Sequence, residues 1–88
     1  MSQAVVAIKL VKCVKEYVLL KNADDPSLVQ RRNDLYEKIL LIGETAAFFG
    51  DYEAMKSLHD AAERLVGNNN SIGYHLNHIW HGVGTWIG

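Results

Sequence analysis

Apolar side chains recur at helical spacing from the start of the chain. Val6, Leu10, Cys13, Tyr17 and Leu20 are separated by four, three, four and three positions, which is the period of one helix face. A second stripe, of alanine and valine, lies beside the first, so a wide arc of this helix needs to be covered. The pattern predicts a first helix over residues 3–22.

The start of a second helix is marked by Asp25 and Pro26, an acidic cap residue followed by a proline in the first turn. From there a stripe of apolar residues ending at Phe49 predicts one buried face of a helix over residues 26–49. Gly50 and Asp51 interrupt the pattern before a third helix over residues 52–66. Because the connection is so short, the sequence predicts an antiparallel helical hairpin at residues 50–51.

The predicted hairpin combines apolar residues with several small ones. They are Ile39, Ile42, Gly43, Gly50, Asp51, Tyr52, Glu53 and Ala62. In this pattern residues 36–66 resemble a single helical hairpin of the tetratricopeptide repeat family. The resemblance implies that small residues let two antiparallel helices pack closely. It does not imply peptide binding, because such solenoids need about three stacked repeats and this chain has room for one.

The C-terminal segment, residues 67–88, holds both tryptophans of the chain but no formally charged side chain. Ser71 as a cap and the helical spacing of the following apolar residues predict a short fourth helix over residues 71–81. The sequence thus predicts one all-α domain over residues 1–88, a small bundle of about four helices. Because so short a chain buries only a limited share of its surface, we expect the bundle to dimerise.

Two interpretations fit the aromatic residues of the C-terminal segment. Large amphipathic aromatics in uncharged surroundings are typical of protein interfaces, which predicts a partner-binding surface. Alternatively, the segment folds back and its tryptophans fill the core of the small bundle. The predicted partner-binding residues are Tyr74, Ile79, Trp80, Val83, Trp86 and Ile87. The predicted self-association residues, all on the first helix, are Val6, Leu10, Cys13, Val14 and Tyr17.

The overall charge argues against nucleic acid as the main partner. The net charge is -1, although residues 1–22 carry +3 and residues 23–66 carry -4. Nucleic-acid binding through the basic first helix, with Lys9, Lys12, Lys15 and Lys21, is kept as an alternative. The single cysteine, Cys13, cannot form an intramolecular disulfide, which favours a reducing compartment, the cytoplasm. No apolar run reaches the roughly 18–20 residues that a membrane span needs.

Histidines are the candidates for metal chemistry. His75 and His78 are three positions apart on the predicted fourth helix, close enough to share a metal ion if a further ligand joins them. An ordinary polar role on a half-buried helix is the competing interpretation. His59, Asp60 and Glu63 are interpreted as an exposed helix face with i, i+4 pairing. Since the sequence has no phosphate loop, dinucleotide motif or paired cysteines, we expect no enzyme and no cofactor.

Together these features predict a small helical protein that binds another protein and acts as its regulator or inhibitor, a role played at this size by antirepressors and immunity proteins. A histidine-based metal-binding domain is the first alternative. A nucleic-acid-binding domain is the second.

Overall fold

Three helices account for most of the chain. The structure, a computed structural model, describes residues 3–67 and 71–86, in which α1 spans Gln3–Leu19, α2 spans Pro26–Val66 and α3 spans Ile72–Ile79. The predicted all-α class is confirmed, since the described residues contain no strand. The predicted number of four helices is wrong. The second and third predicted helices are two halves of α2, because only one residue between them leaves the helical conformation.

The helix ends differ from their predicted positions by a few residues. α1 stops at Leu19 rather than at residue 22, and the amide of Leu20 bonds to the carbonyls of both Glu16 and Tyr17 as the chain tightens into a turn. Asp25 caps α2 as predicted, its Oδ1 accepting from the amide of Ser27 at 2.9 Å. Ser71 precedes α3, but its side chain makes no capping hydrogen bond.

The break inside α2 lies at Asp51, with φ 55° and ψ -145°. Gly50 keeps helical geometry. The residue with a positive φ at the break is therefore Asp51 rather than the glycine. A straight helix of this length would extend roughly 60 Å, whereas the longest dimension of the molecule is 38 Å. The chain therefore bends sharply at the position where the sequence predicts a reversal. Thr85 Oγ1 donates to Asp51 Oδ1 at 2.8 Å and ties the C-terminal segment to this bend.

The core is built from one face of each helix and from the residues after α3. Trp80 is its largest fully buried side chain. Its Nε1 donates to the carbonyl of Ile39 at 3.0 Å, and its ring lies against the backbone of Gly43. His59, from the other half of α2, is 6.4 Å from the Trp80 ring. Both halves of α2 therefore pack against the same tryptophan.

A surface ion pair joins α1 to α2. The Arg31 guanidinium donates to both carboxylate oxygens of Glu16, one of them at 3.0 Å from Nη2. This hydrogen bond holds the pKa of the Glu16 carboxyl below its usual range. The acid of this pair belongs to the net positive segment, residues 1–22, and the base belongs to the net negative segment, residues 23–66. Lys9 and Lys12 of α1 make no ion pair with any acid of the described residues.

No helix among residues 3–67 and 71–86 has the length and apolar character that crossing a membrane requires.

Candidate functional site

Three of the six predicted partner-binding residues lie in the core. Trp80 is 0% exposed, and Ile79 and Trp86 are also buried. Val83 is half-buried against the same cluster. Tyr74 is 68% exposed, and Ile87 lies outside the described residues. The folded-back interpretation of the C-terminal segment is thus the one observed, and Tyr74 is the predicted residue whose ring faces solvent.

The predicted self-association seam of α1 is also used within the chain. Leu10 and Val14 are fully buried. Val6, Cys13 and Tyr17 are half-buried beside them, and the Tyr17 ring lies 6.0 Å from that of Tyr36 on α2. A second copy could not reach Leu10 or Val14 without opening the fold, so these two residues are not available to an apolar docking surface.

An apolar groove lies between α1 and the two halves of α2. Its volume is about 700 Å³, and its walls include Val6, Ile42, Ala46, Leu58, Leu41 and Phe49. The last two are 62% and 80% exposed. We call this cavity the α1–α2 groove. A hydrogen bond of 2.6 Å from Gln3 Nε2 to Ser57 Oγ joins its two walls.

Phe49 corrects a prediction, because the sequence pattern places it on the buried face of α2. The helix breaks at Asp51, two residues later, and the ring extends past the end of the core. Phe48 stands beside it at 81% exposure, in an edge-to-face contact with 5.2 Å between ring centres. The bend of α2 therefore presents two adjacent phenylalanines to solvent at the groove.

Lysines border the α1–α2 groove on one side. Lys9 lines it directly, and a neighbouring cavity of about 380 Å³ shares Lys9, Leu41 and Ile42 with it and adds Lys12 and Lys38. The two cavities thus adjoin each other and form an apolar depression with positive charge at its edge. The sequence does not reveal this surface, because its residues belong to helix faces that look polar or core-like when each helix is considered alone.

His59 is buried, which corrects its interpretation as part of an exposed face. Only 8% of the residue is exposed. Its Nδ1 lies 3.1 Å from Glu63 Oε1 and 3.6 Å from Asp60 Oδ1, and its Nε2 lies 3.3 Å from the carbonyl oxygen of Gly73 on α3. The ring centre is 5.3 Å from that of Trp86. His59 therefore joins α2 to α3 and to the C-terminal segment.

The side chains around His59 leave little free space against α3. A Cβ at Gly73 would lie 2.6 Å from Glu63 Oε2, so this position of α3 accepts no side chain without displacing the carboxylate. Lys56 Nζ lies 3.1 Å from Asp60 Oδ2. The hydrogen bond from Lys56 holds the pKa of the Asp60 carboxyl below its usual range.

The predicted metal residues are not gathered into a ligand set. His75 is half-buried against α1, where a cavity of about 320 Å³ separates it from Val14 and Val18, whereas His78 is exposed. Burial, together with the charges of Lys21 and His78, lowers the pKa of His75. Within the described part of the chain, the three metal-ligating side chains that converge are His59, Asp60 and Glu63.

Comparisons with known proteins found no relative: no protein-family model, no curated protein and no solved structure matches this chain.

Proposed function

We propose that this chain binds another protein and holds an amphipathic helix of that partner in the α1–α2 groove. The observation that carries the proposal is the open apolar groove of about 700 Å³ with Leu41 and Phe49 exposed on its walls. Burying one such side chain contributes about 1.5–3 kcal/mol. A partner that covers the groove is therefore stabilised by the burial of apolar side chains that are exposed in the isolated chain.

The shape of the groove favours a helix as its occupant. It lies between helices, and an amphipathic helix presents apolar residues at i, i+3, i+4 and i+7 to a groove of this kind. Docking of such a helix occupies the partner's own apolar face, which suits the predicted role of a regulator or inhibitor. Because the tryptophans are buried, we assign this role to the α1–α2 groove rather than to the C-terminal segment.

The charge around the groove favours an acidic partner helix. Lys9, Lys12 and Lys38 border the apolar depression, and Lys9 and Lys12 have no acidic partner within the described residues. Glutamates or aspartates flanking the apolar face of the bound helix would complement them. A phosphate backbone would meet the same lysines but would leave the apolar walls uncovered, so nucleic acid fits the surface less well.

A pair of designed peptides tests this proposal. Both form amphipathic helices with leucine at i, i+3, i+4 and i+7, and one carries glutamates and the other lysines beside the apolar face. We expect the glutamate peptide to bind the chain more tightly in a fluorescence-anisotropy titration. Leu41→Ser and Phe49→Ser should each weaken binding on the order of ten-fold, because both remove apolar contact area from the walls of the groove.

Leu19→Ser is the matched control, since Leu19 is as exposed as Phe49 and does not line the groove. Its binding should equal that of the unmodified chain. Equal affinity for both peptides, or equal loss in Leu19→Ser, would contradict the proposal. Sedimentation of the chain alone adds a further outcome. A dimer that Leu41→Ser and Phe49→Ser dissociate would identify a second copy as the occupant and overturn the partner helix.

A further inference from the structure

Both ring nitrogens of His59 face hydrogen-bond acceptors. Nε2 lies 3.3 Å from the carbonyl oxygen of Gly73, which can only accept, so this contact is a hydrogen bond in the tautomer that carries its hydrogen on Nε2. Nδ1 lies 3.1 Å from a carboxylate oxygen of Glu63 and 3.6 Å from one of Asp60. A neutral imidazole in this tautomer directs the lone pair of Nδ1 towards two anionic oxygens. The other tautomer, with its hydrogen on Nδ1, points the lone pair of Nε2 at the Gly73 carbonyl oxygen instead. Either neutral form therefore leaves one lone pair facing an acceptor, and a cation bound at Nδ1 would relieve this conflict.

The spacing of the three atoms suits a metal ion. The ligand atoms of His59, Asp60 and Glu63 all lie within 4.8 Å of one another. Ligands bound at about 2.0–2.2 Å to a tetrahedral zinc ion lie about 3.3–3.6 Å apart, which is close to the two distances from Nδ1. A metal at Nδ1 would leave the hydrogen on Nε2, facing the Gly73 carbonyl oxygen, which is the outer contact that commonly orients a metal-binding histidine.

We infer that His59, Asp60 and Glu63 form a site for a divalent transition-metal cation, with Nδ1 and one oxygen of each carboxylate as ligands. One imidazole and two carboxylates are a donor set that suits Zn²⁺ and similar ions. His59 is more than nine-tenths buried, whereas Glu63 is half-exposed, so the ion reaches the site from the Glu63 side. A water molecule completes the coordination there.

Lys56 competes with the metal for Asp60. Its Nζ lies 3.1 Å and 3.3 Å from the two carboxylate oxygens, and its side chain is 53% exposed. Lys56 can therefore turn into solvent when the ion binds. Removing its charge should tighten metal binding, a response that adventitious binding to surface histidines would not show.

Zn²⁺ titration of the full chain by isothermal calorimetry tests the inference. We expect one Zn²⁺ per chain and an affinity on the order of ten-fold weaker in Glu63→Gln, which keeps the shape of the side chain and removes its charge. Lys56→Met should bind several-fold more tightly. His78→Asn is the matched control and should bind as the unmodified chain does, because His78 lies outside the site. Circular dichroism verifies that each variant keeps its helix content.

Nitrogen-15 NMR of the histidine rings supplies a second measurement. Zn²⁺ should shift the Nδ1 resonance of His59 while Nε2 remains protonated. An absence of stoichiometric binding, an unchanged affinity in Glu63→Gln, or a loss of binding in His78→Asn would overturn the metal site.

Discussion

Trp80 meets α2 at a position where only a glycine fits. A Cβ at Gly43 would lie 2.7 Å from Cδ1 and 2.8 Å from Cε2 of the indole ring, far inside normal contact. The ring cannot withdraw, because it is fully buried and its Nε1 is bonded to the carbonyl of Ile39. A glycine that lowers helix propensity by about 1 kcal/mol is therefore needed here for close packing.

We expect Gly43→Ala to destabilise the chain by about 1–3 kcal/mol, because the added methyl overpacks the core by more than the gain in helix propensity returns. Urea denaturation followed by tryptophan fluorescence measures the free energy of unfolding. Glu44→Ala, at the exposed neighbouring position, is the control and should change stability by no more than about 0.5 kcal/mol. A Gly43→Ala variant as stable as the unmodified chain would contradict the close contact.

At the scale of the elements, α3 depends on its contacts with α1 and α2. α3 has only eight residues, too few for a helix to be stable alone in water. His75 lies on the side of α3 that faces Val14 and Val18 of α1. Burial there, with Lys21 and His78 nearby, lowers the pKa of His75 from its ordinary 6.5. The folded chain therefore takes up a proton at this ring less readily than the unfolded chain does.

This difference predicts that stability falls as the pH drops below about 6.5. The contribution of a group whose pKa is lower in the folded state is present above the pKa of the unfolded state and is lost as the pH falls through the folded value. His75→Gln should therefore flatten the decline in stability between pH 7 and pH 5, measured by urea denaturation at each pH. His81→Gln, an exposed histidine after α3, should leave the decline unchanged. Identical slopes for His75→Gln and the unmodified chain would exclude His75 as its source.

At the scale of the whole molecule, the C-terminal segment completes the core. Leu76, Ile79, Trp80 and Trp86 are buried together with residues of α1 and α2. Burial of each large apolar side chain contributes about 1.5–3 kcal/mol, whereas the net stability of a whole domain is about 5–15 kcal/mol. The first 67 residues therefore lack the apolar contacts that a stable fold requires.

A chain that ends at Gly67 should show no cooperative thermal transition by circular dichroism and should lose most of its helix content. The control is Tyr74→Ala in the full chain, since Tyr74 is the aromatic residue of the segment that solvent reaches. It should unfold at nearly the same temperature as the unmodified chain. A truncated chain with a sharp transition would show that α1 and α2 form a complete core between them.

Much of the local structure could be predicted from the sequence, because helix period and end signals depend on residues within about one turn of each other. The cap at Asp25, the bend at residues 50–51 and the all-α class are of this kind. The number of helices could not be predicted from the sequence, because a single non-helical residue, Asp51, leaves α2 continuous. The difference between one bent helix and two helices lies in a single pair of backbone dihedrals.

The sequence by itself determined which residues form helices and where the chain turns, through contacts between near neighbours along the chain. Which faces are covered was decided only by the tertiary structure. Trp80 bonds to a carbonyl 41 positions away, and this distant contact places the tryptophans in the core. Leu41 and Phe49, by contrast, remain in solvent. The spacing of apolar residues shows that a helix has an apolar stripe. Burial of that stripe requires a second surface, whose position depends on the whole fold.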